Sequence, residues 1–414
     1  MRKGRYGHVE FDPLSDDFFN GAFDTYRWLR DEAPVYRNET HNFWALSRYD
    51  DVQPAYKDWM TYSSAAGIML DQLNIEGFNG PAFMPGFLGV YDPPLHTRLR
   101  RLVAQAFTPK GVRSLERHIE QAIRKYLDAL GDREEFDFVD DFAQRFPAEV
   151  LYDLMGVPEA DRERHWHLSD QFMYAGDEHE EGLFNPVRIN AMQELMQLFL
   201  ALTQEKREHP CDDMITRMTQ SSYVDDDGVE QRLTDQEMAA YLLQTMAAGV
   251  ETTTKLLAGA MVSLHRNPKE WEKILEHPEK IPAALEEQGR LEAPVQFLGR
   301  KSTADVTLHG VTVPANSNML LLIGSANRDE RVYPDPDRYD IDRTFEPAPM
   351  TWGGGPHLCI GVHLARLEGQ MALEAIRERW ARFAVDEAGL ERARGFHVFG
   401  WSRVPMSVRP SVTV

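Results

Sequence analysis

Cys359 lies in the stretch WGGGPHLCIGVHLAR, Trp352 to Arg366, behind three glycines and a proline and at the mouth of a predicted helix. A thiol so placed has three uses. It can be a buried structural group, because free cysteine behaves as a small hydrophobe. It can be a nucleophile, with His357 two residues away as its base. It can also be a metal ligand, since helix N-termini lower thiol pKa and glycines let a loop backbone approach a flat group closely. One thiolate without a second cysteine or a His/Cys spacing argues against zinc. It is compatible with a cofactor that brings its own four nitrogens, such as haem.

A second constellation lies on the longest predicted helix, Asp235 to Arg266. Thr234 and Glu237 form a capping box and Asn267-Pro268 closes the far end. At 1.5 Å per residue this helix spans roughly 48 Å. It is apolar on most faces, so it is expected to cross the interior. Thr245, Ala248, Gly249 and Thr252 recur at i, i+3, i+4 and i+7 and share one face. A mid-helix glycine costs about 1 kcal/mol against alanine. Either a neighbouring helix or a ligand needs that room.

The other elements are mostly helical. TYRWLRDEAPVY reads as a short helix running into a strand, and VYRNETHNFWALSRY as a hairpin turning at NET. PAEVLYDLMGVPEADRERH is an apolar helix stopped by Gly156, with Pro158 just beyond. ADVTLHGVTVPANSNMLLLI supplies a minor β portion with a turn at His309-Gly310. The segment 67–94 reads as a long Gly/Pro-rich loop. It carries Ile68, Met69, Leu70, Phe78, Phe83, Met84 and Phe87, the composition of a cover over something apolar. No repeat or linker divides the 414 residues, which predicts a single, mainly α domain with a minor β portion.

Composition narrows the function classes. A formal charge of −21 disfavours nucleic acid and anionic membranes as partners. Two cysteines exclude a disulfide framework and fit a reducing compartment. The basic N-terminus is not followed by an apolar run, so neither a signal peptide nor a membrane anchor is expected, and the cytoplasm is the default location. Cys211, in a polar stretch, is assigned no role.

Trp352-Gly353-x-Gly355-x-His357-x-Cys359-x-Gly361, followed by Leu364-Ala365-Arg366 and Glu368, resembles the haem-binding signature of the cytochromes P450. The one departure is Trp352, where that family usually has Phe. The resemblance extends over nearly the whole chain. Glu287-x-x-Arg290 resembles the family's Glu-x-x-Arg pair, which a later arginine completes; Arg338 is the expected third member, and all three are read as structural. Ala248-Gly249-Val250-Glu251-Thr252-Thr253 resembles the family's oxygen-binding helix motif.

The resemblance implies a single P450 domain with a haem-thiolate loop at about 351–361, an oxygen-binding helix at about 235–266, and access loops at about 63–91 and 169–188. It implies haem b with Cys359 as the axial iron ligand. It implies His96, Arg100, Arg300 and His357 as partners of the haem propionates, with Ala248, Gly249, Gly353 and Gly361 packed against the cofactor. Ala248 and Gly249 then leave room for dioxygen, while Glu251 and Thr252 help deliver protons. The pocket expected by family position comprises Ile68, Met69, Phe87, Phe172, Met173, Thr245, Ala248, Val295, Gln296, Phe297, Val398 and Phe399, with Phe184 also inward. Such a lining suits a neutral lipophile.

The implied activity is monooxygenation, with electrons from a separate ferredoxin and flavin reductase, and the implied state is a monomer. Arg98, Arg101, Lys110 and Arg113 are the candidate basic patch for that donor. A peroxide-driven haem-thiolate enzyme and a haem sensor without turnover are the alternatives; both leave Glu251-Thr252 without a purpose. A cysteine hydrolase using Cys359 and His357 explains none of the other motifs.

Overall fold

The computed structural model describes residues 10–174, 185–394 and 398–410. In chain order, helix α1 (Phe23–Glu32) runs into strand β1 (Val35–Asn38), which turns through residues 39–42 into β2 (Phe43–Leu46). Strand β3 (Tyr62–Ser63) follows. Then come α2 (Leu95–Val103), α3 (Arg145–Met155), α4 (Glu159–Tyr174), α5 (Pro186–Glu208), α6 (Asp235–Arg266), α7 (Ile281–Leu291), β4 (Leu298–Ser302), β5 (Asn318–Leu321) and α8 (Val362–Arg379).

Helix α6 has the bounds its sequence predicts. The Thr234 hydroxyl accepts from the Glu237 amide at 3.2 Å, and the Glu237 carboxylate accepts from the Thr234 amide at 2.8 Å, so two otherwise unpaired donors are satisfied. Its second half, Leu256 to Leu264, is buried all round. It packs against α3, α5, α7 and α8, so it forms the axis of the helical part. Each leucine buried there contributes about 1.5–3 kcal/mol, enough to offset the helix's glycines.

Beside the helices stands a sheet of order β1-β2-β5-β4-β3, in which only β2 and β5 are parallel neighbours. One of its faces packs on Tyr49, Val52 and Tyr333, and the other on an aromatic cluster of Phe11, Phe18, Tyr26 and Phe297. Gly156 closes α3 in the left-handed region (φ 75°), as expected. His309-Gly310 turns a small hairpin between Val306–Leu308 and Val311–Val313.

Two expectations need correction. Residues 67–94 are not an open loop. They fold into helical turns at Leu70–Leu73, Gly80–Phe83 and Leu88–Val90, laid against the start of α6. Gly86, at φ 89°, makes this contact possible, because a Cβ there would lie 2.1 Å from the Glu237 carbonyl. The second concerns Arg338. Glu287 and Arg290 are fully buried and form a bidentate pair at 2.7 and 2.9 Å. The third member is Arg343, whose Nε donates to Glu287 at 3.1 Å. Arg338 turns its guanidinium out to Asp340 and contributes only its carbonyl, which accepts from Arg290 and Arg343. The chain bends between Asp335 and Arg343, so the residue five further on faces inward.

Candidate active site

Cys359 is placed by the loop that leads into α8. Turns at Met350–Trp352 and Gly355–His357 fold the loop back, and the Cys359 amide donates to the Trp352 carbonyl at 2.9 Å. Gly355 has φ 60°, and a Cβ there would meet the Tyr56 carbonyl at 2.4 Å, so only glycine lets this loop lie against the end of the helix Tyr49–Lys57. Gly361 caps α8, and its amide points at the thiol. The expected lowering of the thiol pKa does not dominate. Burial pushes the Cys359 thiol up, and the Gly361 amide and Arg100 only oppose that rise.

The thiol faces a chamber of about 120 Å³ whose other walls include Ala248, Gly249, Thr252 and Thr253 of α6 and Leu364 and Ala365 of α8. Gly249 serves two ends there. It opens the chamber wall, and its α-carbon sits so near α3 that a Cβ would lie 2.7 Å from Leu151 Cδ1. Both explanations of the small-residue face therefore hold.

His96, Arg100, Arg300 and His357 converge at one edge of the site. The His96 and His357 rings lie 4.2 Å apart. Burial, then Arg300, His96 and Arg100, push the His357 pKa down to about 2. Burial and Arg100 push that of His96 down to about 4. Burial also lowers Arg300 and Arg100. Their polar partners are neutral: Arg100 donates to the Leu358 carbonyl at 2.6 Å, Arg300 to the Gly299 carbonyl at 2.7 Å, and His357 meets Ser64 at 3.3 Å. Neither nitrogen of His96 has a hydrogen-bond partner, although the residue is 1% exposed. Two guanidiniums, one buried and one half-buried, without a carboxylate partner among the described residues, beside two imidazoles held neutral by burial and by these cations, suit an anionic ligand with two carboxylates. The residues therefore fit haem, whose propionates these four side chains would hold. They do not suit a Cys359–His357 hydrolase, because His357 is engaged with Ser64 and His96.

Above the chamber lies a cavity of about 550 Å³ that shares Gln244, Ala248 and Thr252 with it. Ile68, Met69, Phe87, Phe172, Met173, Ala248, Val295 and Val398 line it as expected. Thr245 lines the lower chamber, its hydroxyl donating to the Tyr241 carbonyl at 2.8 Å. Gln296, Phe297 and Phe399 face away. Val295 and Val398 form an antiparallel bridge, and Gln296 and Phe399, the residues next to them, alternate to the opposite side. Gln296 there accepts from the Tyr26 hydroxyl and donates to the Ala293 carbonyl, while Phe297 packs tilted and Phe399 edge-on against Phe18. Phe184 lies outside the described residues. The sequence reading missed Met192, Met196 and Leu200 of α5, whose i, i+4, i+8 spacing was the available signal.

Glu251 and Thr252 sit side by side on α6 without a shared hydrogen bond. The Thr252 hydroxyl donates to the Ala248 carbonyl at 2.6 Å. Glu251 is buried and ion-paired at 3.0 Å with Lys255, also missed. Burial pushes the Glu251 carboxyl up, Lys255 opposes, and Asp170 adds to the rise.

Trp352 turns its indole N–H to Glu286 at 3.1 Å, and Arg366 clamps the same carboxylate at 2.6 Å. Of the expected basic patch, Arg101, Lys110 and Arg113 are exposed, whereas Arg98 is committed to Asp226.

A half-buried cysteine loop facing a small-residue helix face, with nitrogen donors beside it, fits a haem-thiolate type of site. The family profile described as Cytochrome P450 matches residues 182–385. The chain is 37% identical over 400 residues to cytochrome P450 123 of Mycobacterium tuberculosis, with 96% of each covered. It is 32% identical over 383 residues to the erythromycin C-12 hydroxylase of Saccharopolyspora erythraea, covering 91% of this chain and 92% of that one. The solved structure of cytochrome P450 CYP109Q5 from Chondromyces apiculatus superposes with a TM-score of 0.86 at 28% identity, covering 97% and 98% of the two chains. The chain belongs to the cytochrome P450 family and is a haem-dependent monooxygenase of the bacterial type. No helix among the described residues is long and apolar enough to cross a membrane.

Proposed function

We propose that this P450 hydroxylates a neutral, elongated lipophile, with haem b held by Cys359 and electrons delivered singly by a ferredoxin and a flavin reductase. One observation carries the reading: Cys359 and the Ala248, Gly249 and Thr252 side of α6 border one chamber, which shares walls with an apolar cavity, and the nitrogen cluster adjoins the cysteine loop through Arg100, bonded to the Leu358 carbonyl, and through His357. When bound, haem supplies dioxygen activation and the oxidising equivalent.

The chain's own residues do the rest. Cys359 would hold the iron, with the Gly361 amide and Arg100 supporting its negative charge. Arg100, Arg300, His96 and His357 would hold the propionates. Ala248 and Gly249 keep the chamber wall on α6 free of side-chain bulk. Glu251 takes up a proton inside the protein, and Thr252 passes one on when its hydroxyl leaves the Ala248 carbonyl. The apolar walls exclude water and orient the substrate over the chamber. Five methionines among them, Met69, Met84, Met173, Met192 and Met196, give an adaptable surface that favours several related substrates over one.

The electron donor would dock on the outer side of the cysteine loop. Lys57, His363 and Arg366 there surround a depression beside the half-exposed Leu358, and Arg101, Lys110 and Arg113 extend the cationic set. Two free thiols fit a cytoplasmic monomer.

The test is the absorption spectrum of the reduced protein under carbon monoxide. The strongly red-shifted band of a thiolate-ligated haem is expected, and its loss in Cys359→Ala. A histidine-type band in the native protein, or an unchanged band in the variant, refutes the ligand assignment.

A further inference from the structure

Glu251 stands between two spaces. On one side is the large cavity that it shares with Thr252. On the other is a narrow chamber of about 30 Å³, walled by Gln144, Tyr152, Ser169 and Asp170 as well as Glu251. That volume admits water, and those walls offer it polar partners. The Glu251 carboxylate is therefore the polar group common to a chamber able to hold water and the apolar cavity.

Lys255 fixes it there. The two residues are one turn apart on α6, the spacing that brings side chains together. The Lys255 side chain is 1% exposed, and its ammonium lies 3.0 Å from Glu251 Oε1 and 2.9 Å from the Trp401 carbonyl, to which it donates. Gly400 makes room for the stem: with φ 151°, a Cβ there would lie 2.7 Å from Lys255 Cβ. A buried cation held from two sides is expensive unless it serves its partner.

We propose that Lys255 is a positioning residue that holds the Glu251 carboxylate at the junction of the two chambers, so that Glu251 exchanges protons with the Asp170 side at rest and meets Thr252 only when the ion pair parts. The inference rests on the monooxygenase reading and adds a member to its proton path. The groups that face Glu251 are Lys255 on its own helix and Asp170 on α4, which itself feels His167, Arg145 and Lys255. Losing the lysine leaves burial and Asp170 unopposed, and both favour a protonated Glu251. No redox step is added; the carboxylate takes up one proton from solvent through the narrow chamber and gives it to the Thr252 oxygen, while Thr252 releases its own hydroxyl proton into the Cys359 chamber.

The experiment is infrared spectroscopy of the resting, haem-loaded protein across pH, following the carbonyl stretch of protonated carboxyl groups. Glu251→Gln identifies the Glu251 band. Glu368 is buried and also strongly raised, and supplies a band common to all variants. In Lys255→Met the midpoint of the Glu251 band is expected to move up by about one pH unit or more. Lys255→Arg is expected to keep it near the native value. In turnover, Lys255→Met should yield about tenfold less product per NAD(P)H, with the substrate-induced spin shift retained. An unchanged Glu251 midpoint in Lys255→Met overturns the proposal. If Lys255→Met does not fold, Lys255→Gln takes its place under the same criterion. Each variant is checked for the carbon monoxide band, so a failed haem assignment is read separately from a failed lysine assignment.

Discussion

The three arginines around Glu287 give a prediction whose ranking follows from geometry. The Glu287 carboxylate is fully buried and accepts four bonds: from Arg290 Nε at 2.7 Å and Nη2 at 2.9 Å, from Arg343 Nε at 3.1 Å, and from the Asp340 amide at 3.0 Å. Arg290→Ala leaves that carboxylate with a severed bidentate pair in the interior, a change that costs about 3–5 kcal/mol. It also frees the Asn327 and Pro336 carbonyls, which Arg290 binds at 3.0 and 2.8 Å. Arg343→Ala removes one charge-assisted bond, worth about 1.5–3 kcal/mol, together with contacts to the more exposed Pro334 and Asp335 carbonyls. Arg338 is 63% exposed at its side chain and pairs only with Asp340. Its loss should cost less than about 1 kcal/mol. The expected order of destabilisation in urea unfolding, followed by circular dichroism and by haem release, is Arg290, then Arg343, then Arg338. Equal or greater destabilisation by Arg338→Ala refutes the assignment of Arg343 as the third arm.

Thr252→Ala is expected to keep substrate binding and NAD(P)H consumption while diverting electrons to hydrogen peroxide; an unchanged product yield per NAD(P)H contradicts the proton-delivery role. Trp352→Phe removes the indole bond to Glu286 and should lower stability by about 1 kcal/mol in urea unfolding. Because that N–H points to Glu286, the carbon monoxide band should stay at its native wavelength; a displaced band would show that the indole acts on the thiolate. His165 is 2% exposed, packs on Phe199, and is pushed by burial to about 4 from 6.5. The native protein then binds fewer protons here than the unfolded chain between these values, so stability falls as pH drops from 6.5 toward 4. Between pH 7 and pH 5 this group contributes a loss of about 2 kcal/mol, which His165→Phe should abolish in unfolding measured at the two pH values.

Local sequence rules determined the elements wherever a signal lay within a few residues. The capping box at Thr234 and Glu237 and the stop at Asn267-Pro268 set α6, and Gly156 ended α3, because caps act on backbone groups of their own helix. The cysteine loop and the small-residue face were legible for a related reason: a glycine or a thiol in those positions has few other uses. Lys255 was visible as the lone lysine of TTTKLLAGAMVSL, yet its partners were not, since the Trp401 carbonyl is 146 residues away.

What tertiary structure alone decided was direction and distance. It turned Gln296 and Phe399 away from the cavity, because a single antiparallel bridge between Val295 and Val398 sets which neighbours alternate inward, and it packed Phe297 against Phe18. It chose Arg343 over Arg338 through the bend after Asp335, and brought Met192, Met196 and Leu200 of α5 over the substrate space. It also reversed the expected balance at Cys359, where burial outweighs the helix terminus. A chain writes its own caps, turns and periodicities. Which side chains share a cavity, and how much water they lose, depends on segments hundreds of residues apart meeting in three dimensions.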